Sequence, residues 1–156
     1  MNRLYATTCK GTIGELVVQL HLLQYDVQAA PPIKDSGNDL IAVRRRTFRA
    51  IQVKTTTGNR IIKPAKKKEK ILYHILAVVR LPLIKGRYSV RDAEVFVFPE
   101  RSVASLSPKL SDYPHHRLSS EWIERLFPAD RTDRRPPMWF RNLASKGGRN
   151  SGWRMR

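Results

Sequence analysis

The sequence predicts an α/β domain, because a long helical pattern at the start of the chain is followed by several strand-length apolar runs. A short helical pattern with a capping residue comes after these runs. The 156 residues are enough for one domain with a substantial hydrophobic core. We expect this domain to occupy residues 1–128. Residues 129–156 are rich in Arg, Pro, Gly and Ser, which predicts a basic tail that is partly disordered or forms an interface.

The first predicted element is a helix over residues 8–24. Its apolar residues recur at helical spacing and widen beyond a single face, so we expect the helix to be buried on more than one side. Gly11 and Gly14 destabilise a helix interior unless another part of the chain approaches closely there. Glu15 is the only acid of the element, and one interpretation is a carboxylate that complements the helix dipole.

Runs rich in β-branched and aromatic residues predict five strands, over residues 25–30, 39–43, 48–54, 71–83 and 92–99. The fourth run is the most apolar, and we expect it to be a central strand. A hairpin is predicted over residues 83–90. The last helix is predicted over residues 119–127, with Ser119 as its N-cap.

The formal net charge is +17, from 30 Lys and Arg against 13 Asp and Glu. Such an excess favours a polyanionic partner, either nucleic acid or an anionic membrane. We expect no membrane association, because the longest apolar run, residues 16–23, is too short to span a bilayer and no signal-peptide pattern precedes it. The single Cys9 excludes an internal disulfide and fits a reducing, cytoplasmic setting.

Three polar residues on the second and third predicted strands carry the chemistry. Side chains alternate along a strand, so Gln52 and Lys54 share one face while Ile51 and Val53 share the other. An antiparallel partner strand would place Asp39 beside them. A carboxylate, an amide oxygen and an ammonium group can together hold a hard metal ion and activate water against a phosphodiester.

This arrangement resembles the PD-(D/E)XK nuclease superfamily, which has the restriction-endonuclease-like fold. The resemblance covers about residues 11–99 and rests on Glu15 in a first helix, Asp39 on a strand and Gln52-Val53-Lys54 on the next. The run Gly11-Thr-Ile-Gly-Glu15 resembles the Gly-x-x-Gly-Glu of small homing and archaeal-type junction-cleaving endonucleases. The run Ile51-Gln-Val-Lys54 is similar to that of group I intron homing endonucleases. The resemblance implies a mixed central β-sheet flanked by helices in the order αβββαβ.

The resemblance also implies a role for each matching residue. Asp39 would bind a divalent cation directly, with the Gln52 amide oxygen and the Val53 backbone carbonyl as further ligands. Lys54 would orient the attacking water or hold the scissile phosphate. Glu15 would hold metal-bound water or a second ion. Hard oxygen ligands favour Mg²⁺, with Mn²⁺ as a substitute.

Gln52 departs from the family pattern, which has an acid at this position. The neutral amide removes one negative charge, so weaker metal binding is expected, and a degenerate, inactive site is the alternative.

Basic residues surround the predicted site and would contact DNA phosphates. Only one acid, Glu69, occurs from residue 44 to residue 70. The predicted DNA-binding residues are Arg44, Arg45, Arg46, Arg49, Arg60, Lys63, Lys66, Lys67, Lys68 and Arg87. Segments 58–70 and 83–90 are expected to contact the grooves.

The predicted function is therefore a divalent-metal-dependent DNA endonuclease of the homing or mobile-element type, acting on double-stranded or branched DNA. One active site cuts one strand, so we expect a homodimer or homotetramer. Two alternatives stay open: a Holliday-junction resolvase, which would prefer four-way junctions, and a non-catalytic basic nucleic-acid-binding protein.

Overall fold

The computed structural model describes residues 3–33, 37–63 and 73–129, with side chains from Thr7 onward. The rest of the chain lies outside the described residues. The predicted tail falls there apart from Ala129, as do three of the predicted DNA-binding residues, Lys66, Lys67 and Lys68.

The described elements are two helices, seven strands and three short 3₁₀ helices. In chain order they are α1 (Arg3–Leu23), β1 (Gln28–Ala30), β2 (Leu40–Arg44), β3 (Thr47–Thr56), β4 (Ile75–Arg80), β5 (Leu83–Ile84), β6 (Arg87–Tyr88), β7 (Glu94–Pro99), the 3₁₀ helices Glu100–Ser105, Leu110–Asp112 and Pro114–His116, and α2 (Ser120–Leu126).

Five strands form one mixed sheet in the order β1-β2-β3-β4-β7. The β3–β4 pair is parallel and the other three pairs are antiparallel. β5 and β6 form a separate two-stranded hairpin, as predicted over residues 83–90. β4 is buried on both faces, which confirms the prediction of a central strand. The mixed sheet with its helices confirms the predicted fold class.

The two faces of the sheet are covered differently. α1 and α2 pack on one face, where Val17, Val18 and Ile123 belong to the same core cluster as Val53 and Ala77. The 3₁₀ helices cover the β4 and β7 half of the other face through a second core cluster. The β2 and β3 half of that face is open: Val43 is 42% exposed and Phe48 59%.

The connections differ from the sequence prediction in two places. β1 begins only at Gln28, because residues 24–26 form a turn that closes α1, with Asp26 at a φ of 58° and the Val27 N–H donating to the Leu22 carbonyl. The order αβββαβ implies a helix between the third and fourth strands. The described α2 instead follows β7, and residues 64–72 of the implied position lie outside the described chain.

α1 is buried on one side only, so the expectation of burial on more than one side is wrong for the described chain. Val17, Val18 and Leu22 face the sheet and are at most 2% exposed. The leucines on the opposite side, Leu16, Leu20 and Leu23, are 52%, 55% and 60% exposed. A single sheet can cover only one face of a helix, and no described element covers the other. None of the described helices combines the length and hydropathy that a membrane span requires.

Candidate active site

The candidate site lies where β3 continues past the start of β2. β2 pairs with the first half of β3, from Arg44 opposite Thr47 to Leu40 opposite Ile51. The second half, residues 52–56, has β4 on one side and no β2 residue on the other. Buried backbone groups need partners. Where β3 continues past the start of β2, a side chain supplies one such partner.

Asp39 precedes β2 and takes the place of a strand neighbour. Its N–H donates to the Ile51 carbonyl at 2.9 Å, which continues the ladder by one bond. Its Oδ2 then accepts the Val53 N–H at 2.6 Å. The N–H and carbonyl of one strand residue point to the same side. The Val53 carbonyl therefore faces the edge that Asp39 occupies.

Gln52 and Lys54 lie on the open face beside Asp39. Both are half-buried, and the buried Ile51, Val53 and Thr55 alternate with them, so the predicted shared face is confirmed. The Gln52 amide nitrogen donates to Asp39 Oδ2. No described residue forms a hydrogen bond or ion pair with the Lys54 ammonium group.

Gly14 brings α1 against the second half of β3. A Cβ at Gly14 would lie 1.9 Å from Thr55 Oγ1 and 3.0 Å from Thr55 Cβ, so only glycine permits this approach. The predicted reason for a glycine is confirmed here. At Gly11 no described atom lies within 4 Å of an added Cβ, so that glycine has no such contact.

Because α1 contacts β3 at Gly14, the next residue, Glu15, lies at the site. Burial is the main cause that raises the pKa of the Glu15 carboxyl, the Asp39 charge raises it further, and the Lys54 charge opposes them. Asp39 and Lys54, from two other segments, therefore lie close enough for their charges to act on Glu15. α1 begins at Arg3, so Glu15 lies in the middle of the helix, and complementing the dipole at its N-terminus is the wrong interpretation.

The oxygen donors at this site fit a hard divalent cation. They are two carboxylates, one amide and one backbone carbonyl, the donor types that Mg²⁺ and Mn²⁺ prefer. An ion between Asp39 and Glu15 would relieve the repulsion that helps to raise the Glu15 pKa. Among the described residues no cluster of three or more His, Cys, Asp or Glu can hold a metal. Coordination here would therefore depend on Gln52 or Val53 oxygens.

The predicted DNA-binding residues are spread over several surfaces. Arg44 donates to Glu124 Oε1 at 2.6 Å and its side chain is only 13% exposed, while Arg45 lies 3.6 Å from Glu124 Oε2. Arg46 is exposed in the same turn. Arg49 donates to the neighbouring carbonyl of Phe48 at 3.0 Å.

The remaining described members lie away from this turn. Lys63 donates to the Ala104 carbonyl at 3.3 Å, Arg60 bridges to Lys109 through the backbone, and Arg87 is exposed on β6. The basic residues thus form separate patches within the described chain.

Sequence reasoning missed two features. Glu124 lies 80 positions from Arg44, so no local pattern reveals their pairing. A cleft of about 640 Å³ opens beyond the C-terminal ends of β3 and β4, and residues from segments 57–59, 80–82 and 91–94 line it. Arg80 and Arg91 line it, and Glu94 in its wall forms ion pairs with both Arg80 and Arg117. None of the predicted catalytic residues lines this cleft.

Comparisons with known proteins give a similarity to a solved structure. No protein-family model matches the chain, and no curated protein matches it. Among solved structures, the chain is similar to the bacterial homing endonuclease I-Ssp6803I, with 16% sequence identity and a TM-score of 0.46. The match covers 90% of this chain and 95% of that one.

Proposed function

We propose that the protein is a divalent-metal-dependent DNA endonuclease that hydrolyses phosphodiester bonds. The observation that carries this proposal is the meeting of Glu15, Asp39, Gln52 and Lys54 where β3 runs past β2. A helix, a loop end and a strand each contribute to the site. Purely structural ion pairs do not require two carboxylates to stand near one lysine.

Each residue has a chemical task under this proposal. Asp39, Glu15 and the oxygens of Gln52 and Val53 would hold Mg²⁺ or Mn²⁺. When bound, such an ion supplies charge neutralisation at the phosphate and makes a nearby water more acidic. Lys54 donates hydrogen bonds to the scissile phosphate, and no described ion pair has to break before it does so. Its positive charge stabilises the negative charge that develops in the transition state.

The DNA substrate would approach the open half of the sheet face. The basic turn and the exposed cations beyond it would neutralise phosphates without reading sequence. We propose a homing-type or mobile-element enzyme acting on duplex DNA, with junction resolution as the alternative. The single cysteine supports a reducing, cytoplasmic compartment as the place of action.

A second candidate is a non-catalytic nucleic-acid-binding protein. It is favoured by the orientation of Gln52, whose amide nitrogen faces the Asp39 carboxylate. In that orientation the amide itself satisfies the carboxylate. The Gln52 oxygen reaches the same position only when the amide turns.

The deciding experiment incubates the purified chain with supercoiled plasmid, a synthetic four-way junction and a pooled random-sequence duplex library. Each is tested with Mg²⁺, Mn²⁺ or EDTA. Asp39→Ala and Lys54→Ala are tested alongside, with Lys109→Ala as a matched loss of an exposed lysine outside the site. We expect metal-dependent cutting that falls by about 10²–10³-fold in Lys54→Ala, the range for losing one transition-state donor.

The pattern of cleavage separates the candidates. Cutting retained in Lys109→Ala and lost in both site variants supports the nuclease, and the substrate that is cut distinguishes homing from junction resolution. Cutting that survives Asp39→Ala contradicts the proposed site. Salt-sensitive binding without cutting in all four proteins favours the non-catalytic candidate.

A further inference from the structure

The outer side of α1 carries an apolar stripe that no described element covers. We define the outer stripe as Cys9, Thr12, Leu16, Leu20 and Leu23, the side of α1 opposite the buried Val17, Val18 and Leu22. Its three leucines are each more than half exposed. A helix that is apolar on both sides is normally covered on both sides. We therefore expect another surface to cover the outer stripe.

The charge of the molecule restricts what that partner is. The outer stripe has no charged residue, and the charged side chains of α1 after Thr8, Lys10 and Glu15, lie off it. Nucleic acid would be held by cations, and an anionic membrane would require basic residues along the flanks of the helix. Two copies of a chain with a net charge of +17 repel each other through basic surfaces. An uncharged face is where such copies approach at the smallest electrostatic cost.

The spacing of the outer stripe is the same in both directions. Its members are separated by three, four, four and three positions, centred on Leu16. An antiparallel second copy of α1 would therefore place Leu16 opposite Leu16, Thr12 opposite Leu20 and Cys9 opposite Leu23. A two-fold interface requires this kind of self-complementary surface.

We propose that the outer stripe of α1 is a two-fold interface between two copies of this chain, with the two α1 helices antiparallel and crossing at Leu16. α1 has 21 residues and is about 31 Å long. One helix pair of this length buries less than the ~800 Å² per partner of a standard stable interface. We therefore expect a dimer whose population depends on concentration in the micromolar range.

The first test measures the mass of the full chain by sedimentation equilibrium between about 1 and 100 μM, the range in which weak interfaces dissociate. We expect a shift from the 18.0 kDa chain towards twice that mass. Leu16→Glu places two carboxylates opposite each other at the crossing point and should leave the protein monomeric at every concentration. Leu83→Glu is the matched control, because Leu83 is 54% exposed on β5, and it should keep the wild-type behaviour.

The second test crosslinks the crossing point. In a Cys9→Ser background, Leu16→Cys should form a disulfide-linked dimer under mild oxidation at least ten times faster than Leu83→Cys. Leu16 is exposed, so neither substitution disturbs the core, and circular dichroism verifies folding.

Two outcomes would overturn the proposal. One is a wild-type chain that stays monomeric at 100 μM, which would leave the stripe to a different partner. The other is a dimer whose mass Leu16→Glu does not change. Neither test contains DNA or a metal ion, so the result is independent of the proposed nuclease activity.

Discussion

The two ends of β3 differ in whether their charged side chains form ion pairs. At the turn where β3 begins, Glu124 from α2 lies between Arg44 and Arg45. The hydrogen bond from Arg44 is the main cause that lowers the pKa of Glu124; burial opposes it, and the charges of Arg44 and Arg45 add smaller contributions in the same direction as the hydrogen bond. Two of the three arginines at this end share one carboxylate, which holds the turn to the helix.

At the other end of β3, Glu15, Asp39 and Lys54 form no ion pair with any described residue. Burial and the Asp39 charge raise the pKa of Glu15, although Lys54 is close enough to act in the opposite direction. The carboxylates at the two ends come from different segments. α2 supplies the carboxylate at the turn end, whereas α1 and the loop before β2 supply those at the site end. Perturbed ionisable groups cluster at functional sites, so the site end is where we expect a ligand under the proposed function.

The largest expected effect is a loss of stability when the contact between α1 and β3 is disturbed. Gly14→Ala should destabilise the protein by about 2–3 kcal/mol, because the new methyl group overlaps the buried side chain of Thr55. Gly11→Ala, three residues earlier, should stabilise it by up to about 1 kcal/mol, because nothing described lies near and Ala favours helix. Urea denaturation of both variants measures the difference.

Thr55→Ala in the Gly14→Ala background should recover part of the lost stability, since it removes Oγ1 but leaves Cβ. Equal stabilities for Gly14→Ala and Gly11→Ala would contradict the close approach of α1 to β3.

The next largest effect comes from adding a negative charge at the site. Gln52→Glu replaces the amide that donates to Asp39 with a third carboxylate, which should destabilise the metal-free protein by about 1–2 kcal/mol. Mg²⁺ at ten times its dissociation constant should return about 1.4 kcal/mol. Thermal unfolding with and without Mg²⁺ measures both changes. Gln24→Glu makes the same change at an exposed position outside the site and should show no rescue. Failure of Mg²⁺ to stabilise Gln52→Glu would count against a metal site.

A smaller effect concerns the turn end. Arg46 is exposed and forms no described ion pair, so Arg46→Ala should reduce the slope of log affinity against log salt by about 1. Arg44→Ala should change the slope less, because Glu124 already holds that guanidinium group. Fluorescence anisotropy on a duplex at several salt concentrations separates the two. A larger loss for Arg44→Ala would show that DNA displaces Glu124.

The smallest effect is a difference in the pH dependence of stability. The folded pKa of Glu15 is raised above 4.5, so its contribution to stability is complete below that value and lost as pH rises through the raised pKa. Glu15→Gln should thus stabilise the protein at pH 7 by a few tenths of a kcal/mol, with no difference below pH 4.5.

The folded pKa of Glu124 is lowered, so its contribution is present above 4.5 and lost as pH falls through the lowered pKa. Glu124→Gln should therefore destabilise at pH 7. Unfolding curves of both variants from pH 3 to pH 8 test the opposite signs, and equal signs would remove the contrast between the two ends.

Local patterns predicted most of the residues that lie together at the candidate site. Alternation along β3 placed Gln52 and Lys54 on one face, and Asp39 followed from the antiparallel β2–β3 pair. The glycine at position 14 indicated the close approach of the helix. Periodicity also located most elements, because it needs only neighbouring residues.

Other features depend on contacts between distant segments. The pairing of Glu124 with the basic turn and the cleft beside Arg80 and Arg91 arise only once the sheet is assembled. Helical periodicity identified the apolar residues of α1 but could not tell which of them the sheet would cover. The helix start at Arg3 was missed because no capping pattern indicates it, and this error produced the wrong interpretation of Glu15.

The length of β3 has a consequence for the proposed DNA complex. At about 3.3 Å per residue, Thr47 beside the basic turn and Lys54 in the site are ~23 Å apart. Base pairs of duplex DNA advance 3.4 Å along each strand, so this distance equals about seven base pairs. A strand works as a rigid spacer between these two points. A phosphate contact from the basic turn would therefore fall about two-thirds of a helical turn from the cut, and that offset would change with strand length rather than with side-chain identity.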